Sequence, residues 1–414
     1  MSIDQPALSH LPYFERLAAL EESSAEFRAL RAGLVTLRLV DAWMTEGRHV
    51  VSADAWGLRA VREAIAEMDP RATTRALLTS AVDAMEPGDP SERLALVLPR
   101  LVAYARALRF EGEWDLATDV YRTILAHAEP MRHADTVITA DLQLAAGLRT
   151  MARWDEARDA YREAGELAMM TGDMLNVLKS RIGEANVHTD RGNLPEAERI
   201  LDQAIVDAGA LGMTEVRALA LQDRAFTAHR RGDFDAAVAM QHQALQDVRE
   251  GSIRDRLLAD MAASFFEIGL RTAARDANLV LAATAVEQYT RWQATINLME
   301  LAGVDRFEPL FEQYRRELAT APLPPILSAW YFFYVGQGHR MFAHTDQARA
   351  AFERSVEIAQ RNNLSQVLFQ SEQALGELKQ DLPVNVAIPA EGSPAVAEAA
   401  AGVRRMREVT GIRV

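Results

Sequence analysis

At 414 residues, 49% apolar and 25% charged, the chain has the balance of a folded soluble protein, with length for two or three ordinary domains or one extended array. Its 59 acidic residues outnumber 45 basic ones, nearly all arginine, and the net charge of -14 argues against a nucleic-acid partner, because phosphate binding needs basic residues that displace counterions. The absence of cysteine excludes disulfides, thiolate metal sites and cysteine nucleophiles.

The opening stretch MSIDQPALSHLPYFERLAAL lacks a basic region followed by a long apolar run. No apolar stretch approaches the roughly 20 residues that span a bilayer. The cytoplasm is therefore the expected compartment, and no membrane partner is expected. Residues 27–46, 53–68 and 71–86 read as helices separated by EGRHVVS and DP and closed by EPGDP. These first 90 residues form an N-terminal helical segment, either a divergent pair continuing the array behind it or a separate small bundle.

From residue 91 the chain repeats itself at an offset of forty. The turn position reads Gly112, Ala152, Gly192, Gly232, Thr272. Two residues on stand Trp114, Trp154, Leu194, Phe234, Ala274, and three further Ala117, Ala157, Ala197, Ala237, Ala277. Next come Tyr121, Tyr161, Leu201, Gln241, Leu281, then Ile124, Ala164, Ala204, Ala244, Thr284, while Ala105, Ala145, Ala185 and Ala225 precede the turn by seven. Offsets of three and four place these residues on one helical face, so each unit reads as two amphipathic helices around a short turn. A mid-helix alanine lets backbones approach, the bulky residue one turn later fills the space beside it, and glycine at the turn accepts a left-handed conformation. Such a pair cannot bury its apolar face alone, so stacking on neighbours stabilises it.

The series Gly-x-aromatic-x-x-Ala-x-x-x-aromatic-x-x-Ala resembles the second half of a tetratricopeptide repeat (TPR). In the last copy Phe332, Val335 and Gly336 fall on the family's first-helix positions, and Ala348 and Phe352 on its second. The period exceeds the family's thirty-four residues, and the closing proline is missing. Phe307, Leu310 and Tyr314 make a sixth copy about thirty-three residues after the fifth, and HTDQARAAFERSVEIA from His344 a seventh. The resemblance covers roughly residues 91 to 362, with a capping helix at about 364 to 379. It implies an all-α, alpha-alpha superhelix: a TPR-like solenoid of about seven helix–turn–helix repeats spanning 91–380.

Residues 381–414 read as a linker, LPVNVAIPAEGSPAVAEAAAG, and a short basic tail, VRRMREVTGIRV. The tail carries Arg404, Arg405, Arg407 and Arg413, with Val403, Met406 and Val409 on one stripe if helical. It is read either as a frayed terminus or as a tethered helix that docks on the acidic body or on a partner.

Catalytic signatures are few. The nine histidines contain no HExxH, no GxxxxGK[ST] or GxSxG occurs, and His339 and His344 have a poor ligand spacing. No metal, cofactor or catalytic residue is assigned. Gly336 in GQGHRM reads as a helix-packing glycine, and the aromatic run WYFFYV at 330–335 as core rather than a ligand box. The resemblance puts the first helix of each pair on an inner groove, where one column gives Arg109, Arg149, Thr189 and His229, another Arg106, Ala146, Asn186 and Phe226, and a third includes Thr139 and Lys179. That track would hold an acidic peptide segment through carboxylate contacts. The competing reading is a hydrated wall without a ligand. The lysine and asparagine pattern by which some family members clamp a chaperone's C-terminal carboxylate is absent apart from Asn186. A non-enzymatic protein- or peptide-binding scaffold is the leading functional reading. A regulatory sensor, whose repeats bind a small molecule or signalling peptide and relay to the N-terminal helices, is the alternative.

Overall fold

A computed structural model describes residues 9–46, 57–85, 90–248, 251–362, 364–380 and 392–412. Most of EGRHVVS and EPGDP, the linker residues 381–391, and Arg413 lie outside them. The described residues form helices and turns without a strand. The chain divides into two compact units, Met1–Ile200 and Leu201–Val414.

The first unit holds α1 (Leu11–Leu17), α2 (Ala25–Glu46), α3 (Leu58–Ala66), α4 (Thr73–Ala84), α5 (Pro90–Phe110), α6 (Trp114–His127), α7 (Ala134–Thr150), α8 (Trp154–Thr171), α9 (Met174–Asp190) and the start of α10 (Leu194–Ala210). One continuous apolar core runs from Tyr13 to Val187 and includes Leu37, Leu78, Leu101, Tyr121 and Tyr161. The N-terminal helices share that core: α2 packs on α3, α4 and α6, and α1 on α2 and α6.

After α10, the second unit holds α11 (Thr214–Arg230), α12 (Phe234–Asp247), α13 (Gly251–Ile268), α14 (Arg271–Thr284), α15 (Gln288–Val304), α16 (Glu308–Ala319), α17 (Pro325–Met341), α18 (Thr345–Arg361), α19 (Ser365–Lys379) and α20 (Pro394–Val409). From α11 to α19 consecutive helices pack on one another, and α11 also meets α13, α15 meets α17, and α17 meets α19.

The turns inside the pairs share one construction. At the first, the Glu113 amide donates to the Leu108 carbonyl at 2.8 Å and the Gly112 amide to Arg109 at 3.0 Å, while Gly112 sits at φ 86°. This is the Schellman arrangement, which satisfies carbonyls left over at a helix end and needs a left-handed residue. Ala152, Gly192, Gly232, Gly269, Arg306 and Ala343 occupy the same position with positive φ. These seven residues correct the register read from sequence. The fifth turn is Gly269, not Thr272, and the spacing shortens from 40 residues to 37 from there onward. The fifth alanine pair is therefore Ala262 with Ala274, both buried, rather than a column ending in Ala277. The sixth copy also follows the fifth by 37 residues rather than about thirty-three.

The alanines at the predicted contacts, Ala117, Ala157, Ala197, Ala237 and Ala348, are all fully buried, as are Tyr121 and Phe352. Trp114, Trp154 and Phe234 are half-buried at the start of their helices. A Cβ on Gly336 would come within 2.6 Å of the Phe352 ring, which explains that glycine by close approach. In WYFFYV, Tyr331, Phe333 and Val335 are buried core residues.

The tail is a docked helix, and it begins at Pro394, inside the stretch read as linker. Its buried face is Val396, Ala399, Gly402 and Val403, packed on α12 and α14. Met406 is partly buried in the same cluster, whereas Val409 is 88% exposed and lies off the stripe predicted for it. The Ser393 amide donates to Asp235 at 3.0 Å, and Arg407 pairs with Asp276 at 2.8 Å. Asp276 is buried, so its carboxylate depends on that arginine.

Two outcomes follow from these contacts. In thermal melts, Gly232→Ala lowers stability and Ala152→Gly or Ala343→Gly raises it, each by up to about 1 kcal/mol, since a side chain is disfavoured at positive φ. Arg407→Met costs about 3 kcal/mol in denaturant titration by stranding the Asp276 carboxylate, and adding Asp276→Leu recovers most of it.

Candidate functional site

In the first unit the first helices α5, α7 and α9 are neighbours, and they carry seven of the eight residues proposed for the groove. Arg106 and Lys179 are exposed and have no ion-pair partner among the described residues. Arg109 lies 5.2 Å from the Trp114 ring centre, a cation–π contact. Arg149 is already engaged, bonding Asp190 at 3.2 Å from the following first helix. Thr189 is buried and donates its hydroxyl to its own Ala185 carbonyl at 3.2 Å, so it faces no groove. Thr139 and Asn186 are half-buried. The eighth, His229, belongs to the second unit, where its ring meets the Ser264 hydroxyl at 3.1 Å and stands edge-on to Phe234. The basic track thus narrows: Arg106 and Lys179 stay available, Arg109 is stacked, and Arg149 is neutralised.

Charged groups that the sequence did not single out shape the rest. Asp141 on α7 is only 4% exposed, and burial, aided by Glu163 nearby, pushes its carboxyl up to about 7. In the second unit burial, together with Glu267, raises Glu300 to about 8, and Asp260 is raised by burial although Gln222 donates to it at 2.9 Å. These carboxyls lie on first helices, so that face of the second unit does not continue a basic character.

The most developed polar cluster surrounds His10, 5% exposed, at the start of α1. Its Nδ1 lies 2.7 Å from Asp119 of α6 and its Nε2 3.0 Å from Asp41 of α2, while His127 bonds the other Asp41 oxygen at 2.7 Å. A neutral imidazole has only one N–H to donate, so two carboxylate partners call for the cation. Burial lowers the His10 pKa, but the bonds to Asp119 and Asp41 outweigh it and raise it to about 9. Burial would likewise raise Asp41, yet the bonds from His10 and His127 hold it well below the usual carboxylate range. Arg16, bonded to Glu113 and Asp115, fixes the other end of α1. No nucleophile accompanies the cluster in these contacts, and its effect is to hold α1 on α2 and α6.

Among the described residues no group of three histidine or carboxylate side chains could hold a metal ion, and no helix is long and apolar enough to cross a membrane. Antiparallel helix pairs joined by recurrent Schellman turns, with small residues at the mid-helix contacts, make this an all-α, TPR-like repeat protein. The sequence matches no protein-family model and no curated protein. Among solved structures, a Rap protein complexed with competence and sporulation factor is similar over 91% of this chain and 100% of its own, at 13% identity and a TM-score of 0.36. A signal transduction ATPase with numerous domains and a tetratricopeptide repeat sensor, from Pyrococcus horikoshii, is similar over 91% of this chain at 9% identity and a TM-score of 0.39. This chain spans 65% of the length of that ATPase. A circular tandem repeat protein follows at 14% identity and a TM-score of 0.20, covering 95% of this chain and 100% of its own. No residue role follows from these likenesses.

The His10 cluster has a definite pH signature. Because the folded pKa lies above the ordinary 6.5, its stabilisation is complete below pH 6.5 and is lost as pH rises to about 9. The loss is on the order of 3 kcal/mol. Denaturant midpoints measured from pH 6 to 9.5 fall across that window, and His10→Gln flattens the fall while lowering the starting value.

Proposed function

We propose that the chain is a non-enzymatic scaffold that binds a protein or peptide segment, with the first-helix face of α5, α7 and α9 taking an acidic stretch. The observation that carries this reading is that Arg106 on α5 and Lys179 on α9, the two first helices that flank α7, stand exposed without a carboxylate partner among the described residues. In the same unit Arg16, Arg122, Arg149, Arg153, Arg158 and Arg191 all pair with acids. A cation left free on such a protein attracts an anionic segment at long range and contacts it at close range. The binding is groove recognition by preformed helices, with no bond made or broken.

A fluorescein-labelled octaglutamate peptide tests the reading. Fluorescence polarisation should show saturable binding that weakens with salt, and Arg106→Glu with Lys179→Glu should reduce affinity about tenfold. The same two reversals placed at Arg59 and Arg361, exposed elsewhere, should change it far less. Equal loss from both pairs would show that only net charge matters, and the acidic-segment reading would fall.

A further inference from the structure

The second unit contains a cleft of about 570 Å³ between the last first helix, α17, and the capping helix α19. Its wall is unlike the first-unit face just described. Gln337 and buried Phe333 line it from α17, and Gln366, Phe369, Gln370 and Gln373 line it from α19. Phe369 is 68% exposed, a large apolar side chain left in water beside the cleft. The Oε1 atom of Gln337 is buried and has no hydrogen-bond partner. The one carboxylate on the wall, Glu377, is already taken by Arg340 at 2.9 Å and by Gln373 at 2.9 Å. The lining therefore offers amides and aromatic surface but no free charge.

From this arrangement the geometry points to a second binding site, one that takes an uncharged peptide segment in extended conformation. Three steps lead there. Glutamine amides both donate and accept, and an extended backbone presents both groups without internal partners. A helical occupant satisfies its own backbone and would leave the row of amides unanswered. Gln366, Gln370 and Gln373, the last with one N–H already given to Glu377, follow one another at intervals of four and three residues, so they span about 10 Å of helix axis, the length of about three residues of extended chain. The amides thus come once per helical turn, close to the repeat at which a strand presents backbone groups to one side. Phe369 and Phe333 then accept an apolar side chain of the occupant, and burying Phe369 supplies the driving force. The absence of a free charge in the lining disfavours a charged side chain at the centre of the segment, because its desolvation would go uncompensated.

This site extends the scaffold reading without resting on Arg106 or Lys179, which belong to the other unit. The test is a dodecapeptide library displayed on phage and selected against the full chain, with counter-selection on the Phe369→Ser/Gln370→Ala variant. Enriched sequences should be uncharged across a run of three or four residues, with apolar side chains at alternate positions. Synthetic versions should bind at least tenfold more weakly to the variant and equally well to Arg106→Glu/Lys179→Glu. Phe369 is exposed and Gln370 half-buried, and circular dichroism melts of the variant establish that it folds. Enrichment that is equal on the variant, or absent, overturns the proposal. Displacement of the peptides by adenosine monophosphate also overturns it, since it would make the aromatic and amide groups a nucleobase site.

Discussion

In six of the seven helix pairs two small residues at matching positions of the two helices set how closely the pair packs, and the rest of the architecture follows from that spacing. Seven residues before the turn and five after it, the buried pair is alanine on alanine in the first five pairs, from Ala105 with Ala117 to Ala262 with Ala274. With nothing larger than a methyl group between them, the backbones come close enough for the flanking Tyr121 and Tyr161 to fill the adjoining space completely. The sixth pair shows that volume, not residue type, is the constraint. There Met299 and Phe311 take the alanine positions, and glycine appears opposite: a Cβ on Gly338 would run into the Phe311 ring, and one on Gly303 would lie 3.3 Å from the Gly338 backbone. A bulky residue placed on one side is offset by side chains removed on the other.

The change of spacing from 40 to 37 residues has a similarly simple origin. First helices keep their length: α7, α9, α11, α15 and α17 all have 17 residues, and α13 has 18. Second helices shorten, from 18 in α8 and 17 in α10 to 14 in α12 and α14; α6, also 14 residues, keeps the 40-residue spacing through its longer connection 128–133 to α7. The three or four residues lost amount to about one helical turn, which leaves each face pointing as before. It is on the two shortened helices α12 and α14 that α20 lies. Their outer surfaces are prepared for it. Between Asp235 and Asp247, α12 has no carboxylate or arginine, whereas α8 carries exposed Asp155, Glu156, Arg158, Arg162, Glu163 and Glu166.

These particulars explain what could be read from the sequence and what could not. The helix pairs, the buried alanines and the packing role of Gly336 were legible because they arise from contacts within three or four residues or from exact repetition. The register of the fifth pair was not, because Ala274 and Ala277 are both small and both buried, so a slip of three residues still meets an alanine. The left-handed Gly269 was the one local signal that could have fixed it. In the groove, an arginine column is visible along the chain, but the aspartate that neutralises it is not: Asp190 reaches Arg149 from the next pair, 41 residues away. The His10 cluster was hidden for the same reason, since Asp41 and Asp119 lie 31 and 109 residues from it. The tail helix was masked by its own small residues, whose alanine-rich composition resembles a linker until the uncharged surface of α12 is considered beside it.

Each unit uses an end of the chain in the same way. In the first, α1 and α2 fold back on α6, a second helix, and a histidine cation between Asp41 and Asp119 fastens them. In the second, α20 folds back on the second helices α12 and α14, fastened by Arg407 on the buried Asp276. A buried ion pair adds little net energy compared with apolar packing, but its geometry admits few alternatives, so it selects the position of a short helix that apolar contacts alone would leave free to slide. These terminal segments cover second helices within their own units and leave Arg106 and Lys179 on first helices, and Phe369 on the capping helix, exposed to solvent. An apolar second-helix surface is thus closed within each unit while polar side chains of the first helices stay accessible, which is the division of surfaces the proposed scaffold reading requires.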